Sequence, residues 1–151
     1  MEDREFENEL ATFDLLGAPG HLLRRNHQRS YEIFSAVVGE DVTRQQIAVL
    51  VTLAKNPGAS QTSLVELTGI DKSTMREMLG RLVSRGWIER ERDSNDSRAW
   101  KMHLAAQGED VLRERLPLVR KAQNEIIAPL SAEDRKTFLR LLRKLLALEA
   151  G

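Results

Sequence analysis

The 151-residue chain contains no cysteine. That absence excludes disulfide staples, thiolate metal sites and cysteine nucleophiles, and it suits a reducing compartment. Aromatic residues are scarce at 5%, too few for a protein that stacks the bases of a single strand. The three histidines, His21, His27 and His103, stand in no nucleophile or metal motif. His21 and His27 are six apart, about 240° around a helix, so they do not point together. A glycine-rich phosphate loop is also missing. These gaps argue against an enzyme and imply neither cofactor nor metal. Charge of one sign is lacking too, since 23 Lys and Arg balance 23 Asp and Glu. Any basic surface must therefore be local and offset elsewhere. No apolar run approaches the ~20 residues of a membrane helix. The start, Met1-Glu2-Asp3-Arg4-Glu5-Phe6-Glu7, is acidic where a signal peptide is basic and then apolar. The expectation is a soluble, cytoplasmic protein with no membrane partner.

What is present is 41% hydrophobic and 30% charged sequence, enough for one domain with a core and an oligomerisation element. Residues 1–17 read as an acidic arm, with Phe6, Leu10 and Phe13 at helical spacing. The arm is either a short amphipathic helix resting on the body or a frayed tail. After Gly17-Ala18-Pro19-Gly20, a helix is expected to Val38, with Leu23, Tyr31, Phe34 and Val38 inward and Gly39 as its stop. Thr43 caps a second helix over 44–55, whose apolar stripe is Ile47, Leu50, Val51 and Ala54. Asn56-Pro57-Gly58 ends it. Ser60 caps a short helix carrying Leu64, Val65 and Leu67. Thr68-Gly69 turns, and Asp71 caps a fourth helix with Met75, Met78, Leu79 and Leu82 inward, closed at Arg85-Gly86.

The period then becomes two. Ile88–Arg92 and Trp100–Leu104 form a hairpin around the polar loop Asp93-Ser94-Asn95-Asp96-Ser97. The rest is helical: a long helix from near Ala105 to Ala128, kinked or split at Pro117, and a last helix after Ser131. Phe138, Leu139, Leu141, Leu142, Leu145, Leu146 and Leu148 cover more than one face of that last helix. It needs two partners, its own domain and another subunit. The fold class expected is mainly α with a small β-hairpin wing, a winged helix-turn-helix between N- and C-terminal helices. The divisions expected are an arm over 1–17, an N-terminal helix over 18–42, a winged lobe over 43–104, and C-terminal helices over 105–151 that also meet another subunit.

A helix-turn-helix with a wing asks three things of its residues. Lys72, Ser73, Thr74 and Arg76 put small and basic groups at the start of the second helix, where base edges lie. Met75, Met78, Leu79 and Leu82 anchor its other face. Arg90, Arg92, Arg98 and Lys101 carry charge on the hairpin. The alternative for Arg90 and Arg92 is pairing with Glu89 and Glu91. Trp87 and Trp100 read as packing residues rather than stacking platforms.

Four stretches, Asn56–Leu64, Gly69–Met75, Arg81–Arg90 and Asp96–Leu104, resemble the multiple-antibiotic-resistance regulator (MarR) family in one colinear block from Val42 to Gly108. The resemblance implies a homodimeric winged-helix regulator binding a pseudo-palindromic duplex. It places Ser73, Thr74 and Arg76 at the major groove and Arg98 in the minor groove, with Asp96 orienting the Arg98 guanidinium. An arginine suits a narrow minor groove, which concentrates negative potential. Three departures stand out: Glu77 in a place that faces phosphates, unless paired with Arg81; Gly80 where aspartate is common; and Ala105 in place of a capping threonine.

The first long helix opens unusually. Pro19 to Arg29 holds Arg24, Arg25, Arg29, His21 and His27, cations that oppose the helix dipole. His21, Arg25 and Gln28 share one face, with Arg24 beside it, so this start is either an anion site or a patch touching phosphate or the acidic arm. Pro-Gly-His-Leu-Leu-Arg-Arg resembles family members that control breakdown of aromatic acids. That resemblance implies a small anionic aromatic ligand, a carboxylate or its coenzyme A thioester, held by these groups. The implied pocket lies between the dimer helices and the DNA-binding lobe, with Tyr31, Phe34 and Trp100 as walls. The function implied is a repressor released from its operator by that ligand. The rival is a winged helix used as a protein-interaction module, favoured by neutral charge and Glu77 and opposed by Lys72, Arg76 and Arg98.

Overall fold

In a computed structural model of the chain, which describes residues 1–148, seven helices surround one two-stranded sheet. Helix α1 covers Glu2–Thr12 and a 3-10 turn covers Leu15–Gly17. Then come α2 (Pro19–Val38), α3 (Arg44–Lys55), α4 (Gln61–Thr68), α5 (Lys72–Ser84), β1 (Ile88–Arg92), β2 (Trp100–Leu104), α6 (Ala106–Ile126) and α7 (Ala132–Leu145). Among the described residues, no helix is long and apolar enough to cross a membrane.

The caps sit where local chemistry puts them. Thr43 accepts from the Gln46 amide while Gln46 accepts from the Thr43 amide, both at 3.1 Å, a reciprocal capping box. Ser60, Asp71 and Ser131 each accept from a backbone amide in the first turn of α4, α5 and α7. Gly69 takes φ +71° between α4 and α5, the left-handed conformation that lets two helices meet at a tight corner. Ala105 gives α6 no side-chain cap; its amide instead donates to the Trp87 carbonyl at 2.9 Å.

Leu50, Leu53, Leu64, Met75, Leu82, Ile88, Val42 and Val49 are fully buried and tie α3, α4, α5 and the sheet into one core. The stripe on α3 is broader than the amphipathic reading. Val49 and Leu53 are buried and Ala54 is exposed, because α3 is covered by α4, β2 and α6 at once. On α2, Phe34 and Val38 are buried, whereas Tyr31 is 56% exposed and Leu23 also lies outside the core. The second half of α2 supplies its buried residues, while the first turns meet the 3-10 turn and, at Leu23, an open cavity lined also by Ile126, Phe138 and Leu142. Leu67 on α4 is likewise exposed.

The hairpin pairs Ile88 with Leu104 and Arg92 with Trp100. A third strand is reduced to one bridge: Met102 donates to Ala59 O at 2.9 Å and accepts from Gly58 at 2.8 Å. This bridge pins the loop after α3 to the wing. Helix α6 runs unbroken through Pro117 rather than splitting there. Helix α1 forms and buries none of its residues, and Phe13 falls just past its end. Helix α7 also buries none.

Candidate DNA and ligand site

Asp71 sets the start of α5. Its carboxylate accepts from the Thr74 amide at 2.9 Å and from the Thr74 hydroxyl at 2.6 Å. These bonds hold the Asp71 carboxyl below its usual range. They also engage Thr74, which is half-buried, while Lys72, Ser73 and Arg76 stand exposed on the outer face. Glu77 pairs with Arg81 one turn on, at 2.5 Å, so its charge is offset on the helix itself. Gly80 has open space where a Cβ would project.

On the wing, strand alternation puts Arg90 and Arg92 on the face of Trp100, away from Glu89 and Glu91. Their guanidinium carbons lie 5.0 and 4.2 Å from the Trp100 ring centroid, a cation–π stack. Arg92 also donates to Ser97 O. The glutamates do not pair with these arginines; Glu91 instead meets His103 at 2.9 Å. Lys101, opposite Glu91, is half-buried. Asp96 accepts from the Arg98 backbone amide at 3.0 Å. It shapes the loop that carries Arg98 rather than holding the guanidinium as the resemblance implies. Ser60, Gln61, Thr62, Lys72, Arg98 and Trp100 then line one cleft of about 300 Å³ between the start of α4 and the wing.

The ligand residues are dispersed. His21 meets Arg24 at 3.5 Å on the exposed start of α2, Arg25 is exposed, and Gln28 turns to Glu32 at 3.4 Å. Phe34 is buried in the core and lines neither the wing cleft nor the one beside Tyr31. Trp100 lies at the wing, not near α2, because the hairpin register carries it outward. Tyr31 alone of the set lines a cleft of about 650 Å³ between α2, α3 and the α4–α5 turn, with His27, Thr43, Arg44, Thr68, Ile70 and Asp71.

The cation in that cleft is Arg44, at the first position of α3. It donates to Ser30 Oγ at 2.7 Å, lies 3.4 Å from His27 Nδ1 and sits 5.8 Å from the Tyr31 ring centroid. Among the described residues no carboxylate lies within ion-pair distance of it. Sequence pattern does not single out Arg44, because it looks like the first residue after a cap and nothing local shows that α2 packs beside it. Arg29 acts elsewhere. It donates to Ile126 O at 2.7 Å and Glu125 O at 3.4 Å, satisfying carbonyls at the end of α6.

A second group is also hidden from sequence pattern. Arg115 of α6 donates to both Asp41 oxygens at 2.8 Å and to Val38 O at 2.9 Å. Arg85, at the end of α5, donates to Asp41 O at 2.9 Å and stacks on Trp87 at 3.6 Å. The Arg115 guanidinium lowers the Asp41 pKa and is itself raised by it.

Two packed helices joined by a tight turn, followed by a cation-bearing hairpin, make a winged helix-turn-helix, the architecture of duplex-DNA-binding regulators. The particular kind follows from similarity: the chain belongs to the MarR family. Residues 40–99 match the family model described as MarR family. The transcriptional regulator HosA of Escherichia coli is 38% identical over 106 residues, 70% of this chain and 78% of that protein. The PcaV transcriptional regulator of Streptomyces coelicolor, solved in complex with its natural ligand, is 34% identical, with a TM-score of 0.87 over 90% of this chain and 96% of that one. The transcriptional repressor CouR, solved on a 23-mer DNA duplex, is 28% identical, with a TM-score of 0.80 over 91% and 95%.

Proposed function

We propose that this MarR-family chain is a homodimeric repressor. In this reading it leaves its operator when a small aromatic carboxylate enters the cleft beside Arg44. The observation that carries the reading is Arg44 itself: a half-buried guanidinium with no carboxylate partner among the described residues, over Tyr31, facing the turn that starts α5. An unpaired, partly desolvated cation favours an incoming anion, and Tyr31 and Ile70 favour an aromatic body. Asp71 stays ionised by its bonds to Thr74, so the ligand carboxylate belongs at the Arg44 and His27 end. A free acid fits this site better than its thioester, whose acyl carbon carries no charge. PcaV was solved with its natural ligand and CouR, a repressor, on DNA, which supports both halves of the reading.

For the DNA, two α5 helices would enter successive major grooves ~34 Å apart. Ser73 and Arg76 would face base edges; Lys72, Thr74, Arg90 and Arg92 would position the helix and wing; Arg98, carried by the Asp96 loop, would enter the minor groove. The ligand cleft shares the Thr68–Asp71 turn with the start of α5. A ligand that binds one setting of that turn better than the other shifts α5 and hence the DNA affinity.

Fluorescence anisotropy on a labelled duplex from upstream of the chain's own gene tests this. Affinity should fall linearly with salt on a log–log scale, and one of a panel of aromatic acids and their coenzyme A thioesters should release the duplex. Release by no panel member would remove the aromatic effector. Affinity insensitive to salt would favour the protein-interaction module.

A further inference from the structure

Helix α5 carries an acid on the face it turns to solvent. Its core side is Met75, Met78, Leu79 and Leu82. At 3.6 residues per turn, Glu77 lies within about 30° of the direction opposite that side. Ser73 and Gly80 share its strip, and Arg76 flanks it. In a duplex-binding helix this strip meets the base edges. A lone carboxylate there would be repelled by the phosphates on both walls of the groove. Arg81 answers that repulsion. It holds Glu77 Oε1 at 2.5 Å, so the pair is neutral overall and the carboxylate has a fixed direction. Glu77 Oε2 has no partner among the described residues.

Gly80 points the same way. It sits inside α5 without a left-handed φ, and a Cβ placed on it would touch nothing. Neither the backbone nor the packing within the chain calls for glycine there, and glycine destabilises a helix interior relative to alanine. What it does is keep the helix surface low one turn after Glu77. A glutamate reaches less far than an arginine, so it meets a base edge only where the helix sits deep in the groove. Gly80 allows that depth.

The chemistry of the carboxylate selects the base. An ionised carboxylate only accepts hydrogen bonds. In the major groove guanine presents two acceptors, and thymine an acceptor and a methyl group, so neither suits it. Adenine offers its N6 amino group beside the N7 acceptor, which suits an amide that donates and accepts together. Cytosine offers its N4 amino group with no acceptor of its own beside it. We propose that Glu77 reads a cytosine in each half of the operator. Its Oε2 accepts from the N4 amino group, and Arg81 positions the carboxylate through Oε1. This rests on the duplex binding of the proposed function and adds a base that α5 selects. It also gives Glu77 a part in DNA binding, where the sequence alone counts it against such binding.

Selection from a randomised duplex library with the full-length chain tests this. Duplexes enriched by the native chain should share a C·G pair at one position of each half-site. They should bind roughly 10-fold or more tightly than the same duplex with another pair there. Glu77→Gln should turn the preference at that pair to A·T, because an amide donates to N7 and accepts from N6. Glu77→Ala should bind all four pairs there almost equally, with preferences elsewhere in the site unchanged. A Gln variant that still prefers C·G, or an Ala variant that keeps the native preference or loses it at every position together, would overturn the assignment. In parallel, Gly80→Leu should raise the thermal midpoint and lower affinity for the selected duplex roughly 10-fold. Undiminished affinity would overturn the close approach that the reach of Glu77 requires. Enrichment of no duplex by the folded native chain would remove the duplex binding itself.

Discussion

Arg44 and Arg25 carry the same charge on neighbouring helices and stand in different surroundings. Arg25 projects from the exposed first half of α2, where water solvates it. Arg44 is half-buried between Ser30, His27 and Tyr31, where an anion would meet it partly desolvated. A charge-assisted bond in such a place is worth roughly 1.5–3 kcal/mol. Arg44→Ala should therefore raise the effector concentration for half-release from DNA by ~10-fold or more. Arg25→Ala should leave it near the native value. Titrating the released duplex by anisotropy for both variants separates the two residues, and the reverse ranking would return the anion site to the start of α2. Legibility at this scale is uneven. The outward Lys72, Ser73 and Arg76 follow from helical periodicity alone. Arg44 does not, because its surroundings come from a helix 14 residues earlier.

The wing shows what an element adds to its residues. Alternation places Arg90, Arg92 and Trp100 on one face, so two cations share one indole and are pre-oriented along the strand. The loop beyond them is held by its own backbone: Asp93 N–H donates to Ala99 O and Ala99 N–H to Asp96 O, both at 3.0 Å. Arg98 thus projects its guanidinium from a fixed loop. Arg98→Ala should cost operator affinity ~1–3 kcal/mol while leaving the thermal midpoint unchanged. An equal loss of affinity on operator and on random duplex would instead make Arg98 a general phosphate contact. The hairpin and its charges are visible in the period-two pattern. The stack on Trp100 and the bridge at Ala59 are not, since both depend on register and on a loop about 40 residues away.

Across the whole molecule, Asp41 joins parts that the sequence keeps far apart. Arg115 holds it from α6 and Arg85 holds it from the end of α5, so a loop after α2 fixes α5 against the long helix α6. Only 17% of the Arg115 side chain is exposed; removing Asp41 leaves this largely buried cation, among the described residues, with only the longer, exposed ion pair to Glu114 at 3.4 Å. Because the folded-state pKa of Asp41 is depressed by Arg115, its contribution is present above the unfolded value of about 3.9 and is lost as pH falls through the folded value. Asp41→Asn should lower the unfolding midpoint clearly at pH 7, and the gap from the native chain should close towards pH 3. Thermal unfolding at both pH values checks it; a gap of the same size at pH 3 would show that charge plays no part in the clamp.

The order of elements, the caps at Thr43, Ser60, Asp71 and Ser131, and the core residues of α5 were determined by sequence alone. Each depends on neighbours within a turn or two, where propensity and side-chain bonding decide. Tertiary structure decided which cation faces the cleft, that Leu23 and Tyr31 lie outside the core, that Arg90 and Arg92 stack on Trp100, and that α1 buries none of its residues. Those outcomes depend on which helices meet in space, and burial there is settled by long-range packing that no local pattern encodes.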